Sequence, residues 1–207
     1  MTDDSTAETD VERWAREHGF APSERKLRGE TPLLREGMMD VATDVFEGEL
    51  DGRPVVVFDL YVDAPGLPVP GETGVNTTSF TVLLVEVSAP RWPRITVHPA
   101  EFSEGGWLAR IVRRDDRRVR HVGAEFDRRY RMRVANSIPD DDVDALLESD
   151  FVSWCLDQPA LIFDLENNVD TGDSLVVAAP GTDAGAETLD RLREQARSLA
   201  ERFEAGG

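Results

Sequence analysis

Residues 38–63, "MMDVATDVFEGELDGRPVVVFDLYVD", hold two apolar runs joined by Leu50-Asp51-Gly52-Arg53. Asp-Gly supplies the positive φ that a two-residue hairpin turn demands. The stretch therefore commits the chain to antiparallel strands near 38–49 and 53–63. A third strand follows in "NTTSFTVLLVEVSAP", apolar on both faces from Phe80 to Val87, the pattern of a strand central to its sheet. "PRITVHP" reads as a short fourth strand, and Pro93 and Pro99 at its ends predict an edge position.

The remaining segments add helices to this sheet. "VERWAREHGF" puts Val11, Trp14, Ala15 and His18 on one stripe that stops at Gly19, a short docking helix behind an acidic stretch of ten residues expected to be disordered. Asp residues crowd the first turn of "PDDDVDALLESDFVSWCLDQP", where the helix dipole favours them. Val143, Leu146, Leu147, Phe151, Trp154 and Cys155 line one face there, so one helix is expected near 140–157. "ALIFDLENNVDTGDSLVVAAP" reads as two more strands. "AETLDRLREQARSLAERF" closes the chain as an amphipathic helix near 184–204 with a Leu189, Leu192, Ala196, Leu199, Phe203 stripe. A short helix is also expected after Gly105-Gly106 in "FSEGGWLARIVRR".

The fold class that follows is α+β, a mostly antiparallel sheet of about six to eight strands carrying these helices. Residues 1–31 read as a tail, short helix and linker, and 32–207 as a single α+β domain that includes the C-terminal helix. Between the second and third strands lies "APGLPVPGETGVN", longer than a hairpin needs, and the 64–77 loop is accordingly a candidate contact surface.

Composition narrows the function more by exclusion. With 41 acidic residues against 23 basic ones, a formal charge of -18 disfavours nucleic acid and anionic membranes as partners. Cys155 is the sole cysteine, so no internal disulfide and no thiolate zinc cluster can form; together with an acidic start in place of a signal peptide, this gives a cytoplasmic expectation. Its helix spacing buries Cys155 beside Phe151, which argues against a nucleophile.

His18, His98 and His121 lie in separate elements without metal-ligand spacing, and no nucleophile elbow, phosphate loop or dinucleotide fingerprint occurs. Asp164, Glu166, Asn168, Asp170 and Asp173 alternate like a cation loop, but the glycine falls in the wrong place and the closing glutamate is missing; a hydrophilic hairpin turn explains the same residues. No catalytic residue, metal ligand or cofactor is assigned from the sequence.

One asymmetry remains. Residues 110–133 hold ten arginines against four acids, a net of +6 that leaves -24 for the rest of the chain. Within "GAEFDRRYRMRV" the even positions are Phe126, Arg128, Tyr130, Met132 and Val134, a largely apolar set, and the odd ones Glu125, Asp127, Arg129, Arg131 and Arg133 are charged, the pattern of a strand over 125–134 with one wet face. Paired with a strand over 117–122, it would array Arg117, Arg118, Arg120, Arg129, Arg131 and Arg133 on one side, suited to carboxylate or phosphate. The arginines either pair with the protein's own acids or bind an acidic protein partner or a second copy. A binding or scaffold module without catalysis is the first reading. An enzyme with dispersed polar residues, metal-assisted through His98 or His121, is the alternative.

The succession of "GRPVVVFDLYV", a Pro/Gly loop, "SFTVLLVEVSAPRWPRITVHP" and "EFDRRYRMRV" before an acidic-start helix with "VSWCL" resembles a group of uncharacterised prokaryotic proteins common in actinobacteria. That group combines a GR-x-V-x-x-FD-x-x-Y strand, a P-x-x-x-V-x-P edge and an EF-(N/D)-R-x-(Y/F)-x-V strand. The likeness spans about residues 45–180 and rests on fold-building residues. It implies no catalytic residue to carry over. Members often have membrane-spanning segments ahead of this domain, which this chain lacks, so a membrane role is not expected from the resemblance.

Overall fold

The computed structural model describes residues 8–24, 27, 41–63, 77–89, 92, 94–103, 117–148, 150–168, 172–182 and 184–205. Most of the 64–77 loop and the helix expected after Gly105-Gly106 lie outside these residues.

The architecture is α+β, built on an antiparallel sheet that has nine strands among the described residues: β1 (Ala21–Pro22), β2 (Val41–Leu50), β3 (Arg53–Asp63), β4 (Thr77–Val87), β5 (Arg94–Pro99), β6 (Arg117–Arg120), β7 (Tyr130–Ala135), β8 (Phe163–Asn168) and β9 (Gly172–Pro180). Their order across the sheet is β1-β2-β3-β4-β9-β8-β5-β7-β6, and every pairing is antiparallel. Eight of these strands match sequence expectations. The ninth is β1, where Ala21 and Pro22 of the expected linker pair with Glu47 and Phe46.

Asp51 and Gly52 both adopt positive φ, 50° and 80°, and close Leu50 onto Arg53 in the hairpin that Asp-Gly predicts. Further along β2, Asp44 at φ 50° sits in a bulge between Thr43 and Phe46. The extra residues let Val45 pack on one face of the sheet while Phe46 joins the core on the other.

The helices among the described residues are α1 (Asp10–Glu17), α2 (Ala124–Arg129), α3 (Asp140–Glu148), α4 (Phe151–Asp157) and α5 (Ala186–Ala205). All five bury side chains in one core with the alternate positions of the strands: Trp14 from α1, Phe126 from α2, Val143 from α3, Phe151 from α4 and Phe203 from α5. Phe203 stands at the centre, with ring centroids 5.9 Å from Phe163 and 6.3 Å from each of Phe151 and Trp92. Burying each such ring contributes about 1.5–3 kcal/mol.

α1 starts where the Thr9 hydroxyl accepts from the Glu12 amide at 3.1 Å, and Gly19 at φ 79° ends the turn behind it. The indole of Trp14 donates to Asp190 Oδ1 at 2.8 Å, clamping α1 to α5.

Two sequence expectations are corrected here. The single helix near 140–157 is two helices; Asp150 precedes the second, and its carboxylate makes no cap hydrogen bond but pairs with Arg202 of α5. That partner is distant in the chain, so the local helix pattern does not encode it. β5 is an interior strand between β8 and β7, not an edge. Its pairing with β8 stops at Val97, two residues before Pro99, so the ring ends that ladder and does not interrupt it.

The opposite face of the sheet is divided. Across β3, β4 and β9 it is apolar, with Val56, Phe58, Leu60, Phe80, Val82, Leu84 and Val176 in a second core that Leu27 joins. Across β8, β5 and β7 it is polar.

Candidate functional site

The strand expected over 125–134 is a strand only from Tyr130; Ala124–Arg129 forms helix α2. Gly123 precedes it, the Gly123 carbonyl accepts from the Asp127 amide at 2.8 Å, and Asp127 Oδ1 accepts from the Val122 amide at 3.1 Å. Phe126 and Tyr130 pack in the core with centroids 5.6 Å apart. A spacing of four is even, so it puts two residues on one side of a strand as well as one face of a helix. Arg128 discriminates between the two templates: strand parity points it inward, and it is exposed.

The arginines consequently do not form one array. β6 pairs Arg118 with Val134 and Arg120 with Met132, both core residues, which sends Arg118 and Arg120 to the helix side. There Arg118 donates to the carbonyls of Ala135 at 2.7 Å and Ile138 at 2.9 Å and to Asp140 Oδ1 at 2.8 Å. Arg120 pairs with Asp144 and lies 3.7 Å from Asp140 Oδ1. These two tie the sheet edge to the acidic first turn of α3.

Arg129, on α2, donates to the carbonyls of Leu156 and Gln158 at the end of α4, a place where the helix dipole favours a cation. Arg117 lies on β6, and its side chain is outside the described residues.

Arg131 and Arg133 occupy the other face. Register sets Arg131 opposite His98 and Arg133 opposite Thr96 on β5; Thr96 is opposite Asp164 on β8, and Arg94 is opposite Glu166, which is opposite Ser174 on β9. The chain has thus brought together Arg94, Thr96, His98, Arg131, Arg133, Asp164, Glu166 and Ser174. Glu166 is 1% exposed, Thr96 and His98 are 3% exposed, and the arginines are half-buried. Val119, opposite Arg133 at the β6 margin of the same face, is 46% exposed and marks where this face meets solvent.

Hydrogen bonds satisfy much of this polar face, as burial requires. The Thr96 hydroxyl donates to Asp164 Oδ1 at 2.9 Å, and Arg94 donates to Glu166 Oε1 at 3.2 Å. Arg131 donates to the carbonyls of Asp127 and Tyr130, which anchors its guanidinium beside α2.

His98 Nδ1 lies 3.0 Å from the Pro99 carbonyl oxygen. A carbonyl only accepts, so Nδ1 carries the proton and Nε2 is left with its lone pair. Burial lowers the His98 pKa from 6.5, and the Arg133 and Arg131 charges push it the same way, against the Pro99 hydrogen bond and the Asp164 carboxylate. Near neutral pH the imidazole is therefore uncharged.

Other chemistry-bearing residues are accounted for by packing. Cys155 is buried and its thiol is pushed up to about 12, chiefly by burial. His121 lies on the surface 3.4 Å from Asp127. Asp164 and Glu166 belong to β8 and pair across the sheet, so the cation-loop pattern does not describe them; Asp173 accepts from the Ala89 amide at 2.8 Å. Among the described residues no group of three His, Cys, Asp or Glu side chains could hold a metal ion.

The conspicuous Gly52, Arg53 and Asp59 of the hairpin are also structural. Gly52 makes the turn, Arg53 pairs with Glu204 at 2.6 Å, and the Thr81 hydroxyl donates to Asp59 at 2.6 Å. No helix among the described residues is long and apolar enough to cross a membrane.

Sequence reasoning named Arg131 and Arg133 together, and His98, Asp164 and Glu166 in separate readings, but not Thr96 and not that all of them share one sheet face. Thr96, His98, Asp164 and Glu166 alternate with the buried Ile95, Val97, Phe163 and Leu165, a period of two that put them on one strand face; nothing local announced that β5 lies between β8 and β7. No family model matches this chain, and neither does any curated protein or solved structure.

Proposed function

We propose that the protein is a binding module without catalysis, which takes an acidic segment of a protein partner on the β5–β7 end of its polar sheet face. The observation that carries this reading is the placement of Arg131 and Arg133 side by side on that face, next to Arg94 one strand over and at the solvent margin marked by Val119. Three guanidiniums stand there with two carboxylates, Asp164 and Glu166, on a molecule that is otherwise strongly acidic. Local positive charge of this kind steers and orients an acidic partner while the surrounding charge repels nucleic acid. A cytoplasmic setting belongs to the same reading and is supported by the lone buried cysteine.

The test is binding of a fluorescently labelled polyglutamate decapeptide, followed by anisotropy at low and at physiological salt. Capture by the native chain, lost on Arg131→Glu with Arg133→Glu at an unchanged melting temperature, supports the reading. Equal capture by the double variant overturns it. Sedimentation of the protein alone distinguishes self-association through the same face.

An enzymatic reading keeps one specific observation, the neutral buried imidazole of His98 beside Asp164 and two arginines. Metal analysis of the purified protein, with His98→Ala and His121→Ala, tests its metal-assisted form: no bound metal in the native chain removes it.

A further inference from the structure

We infer that His98, Arg131 and Arg133 together form a site for a fully ionised oxyanion, a carboxylate or sulfate-like group, and that the site takes up one proton when it binds. The inference rests on the acidic-segment reading and specifies the group that is gripped.

The geometry supplies the argument. His98 and Arg131 are direct cross-strand partners and Arg133 is the diagonal neighbour, so all three side chains rise from one patch of the sheet face. The Pro99 carbonyl holds the proton on Nδ1, and among the described residues no donor meets Nε2. An oxyanion held by the two guanidiniums would approach this patch with lone pairs only. Against a bare Nε2 lone pair that approach is repulsive, and against a protonated Nε2 it is a charge-assisted hydrogen bond.

The bound anion and the proton on Nε2 therefore favour one another, and the coupling is reciprocal. Among the described residues, the charged groups that act on His98 are Arg131 and Arg133 of β7 and Asp164 of β8. Burial foremost, and the two arginine charges after it, keep the empty site unprotonated near neutrality. A bound anion offsets the arginines and accepts from a protonated Nε2, which favours the proton. Affinity should accordingly rise as the pH falls from 7.5 towards 5.5.

The experiment is calorimetric titration with sodium sulfate, a dianion throughout this range, at pH 7.5 and 5.5, constant ionic strength and in two buffers of different ionisation enthalpy. The native protein is expected to bind sulfate several-fold more tightly at pH 5.5, with about tenfold as the ceiling for a His98 titration midpoint higher by about one pH unit in the complex, and with net proton uptake. His98→Gln, neutral at both values, is expected to bind equally at the two. Titration of the His98 imidazole nitrogens by NMR with and without sulfate gives the same answer without a substitution, as a higher midpoint in its presence.

An unmoved midpoint, a His98→Gln variant with the native pH dependence, or no sulfate binding at either pH overturns the inference. Capture of the polyglutamate peptide alongside any of these leaves the acidic-segment reading standing.

Discussion

The Thr96 hydroxyl reaches across from β5 to donate a 2.9 Å hydrogen bond to Asp164 Oδ1 on β8, in the interior of the polar sheet face. Both residues are buried. Thr96→Val keeps the shape and removes the donor, leaving a desolvated carboxylate oxygen short of a partner. A loss of about 1–3 kcal/mol in urea unfolding is expected, and Thr96→Ser should recover much of it. A Thr96→Val protein as stable as the native one would show that this bond carries no net stability.

Glu204 at the end of α5 accepts from Arg53 at 2.6 Å and from the Ser88 amide at 3.2 Å. The Arg53 hydrogen bond holds its carboxyl below the ordinary glutamate value of 4.5, with burial opposing. A carboxylate whose folded value is depressed stabilises the protein above the unfolded value, and that contribution disappears as the pH falls through the folded one. Glu204→Gln is therefore expected to melt about 2–4 °C below the native protein at pH 7, a deficit of about 1 kcal/mol, and the two melting curves should converge on acidification below pH 4.5. A gap that stays constant with pH would assign the loss to packing.

Phe20, behind α1, packs directly on Gly48 of β2: a Cβ at Gly48 would stand 2.6 Å from the Phe20 ring. Gly48→Ala should cost about 1–3 kcal/mol by overpacking. In a Phe20→Leu background, where the ring is absent, the same substitution should cost measurably less. Additive losses in this double-mutant cycle would show that the two residues are not coupled.

Cys155 is expected to resist a thiol reagent in the native protein at pH 8 and to react in full in denaturant, because its thiol is buried and pushed up to about 12. Reaction at the rate of a free thiol under native conditions would contradict its place in the core.

The Arg118 contacts also separate structural from surface arginines. Arg118→Ala deprives the Ala135 and Ile138 carbonyls of their donor and should lower stability by about 1–2 kcal/mol, whereas Arg128→Ala, on the exposed side of α2, should leave it unchanged in chemical denaturation.

Much of the fold was legible because it is encoded locally. Asp51-Gly52 specifies its hairpin through backbone conformation alone, the stripe from Leu189 to Phe203 specifies α5, and the spacing of Phe151 and Cys155 buries the thiol. The misreadings arose where local signals are degenerate. Phe126 and Tyr130 satisfy helix and strand alike, so the turn at Gly123 and the core contact of Phe126 decided for a helix. Pro99 signals a strand end, which is not the same as a sheet edge.

Taken alone, the sequence determined which residues alternate, which turn, and that arginines gather in one window of an acidic chain, because periodicity, turn chemistry and charge are properties of neighbours in the chain. Only the tertiary structure decided that β5 lies between β8 and β7, that Arg118 and Arg120 turn to the helices and meet Asp140 and Asp144, and that Arg131 and Arg133 share a face with His98 and Asp164. Strand order and register are set by pairings between distant segments, and a shift of one residue exchanges the faces.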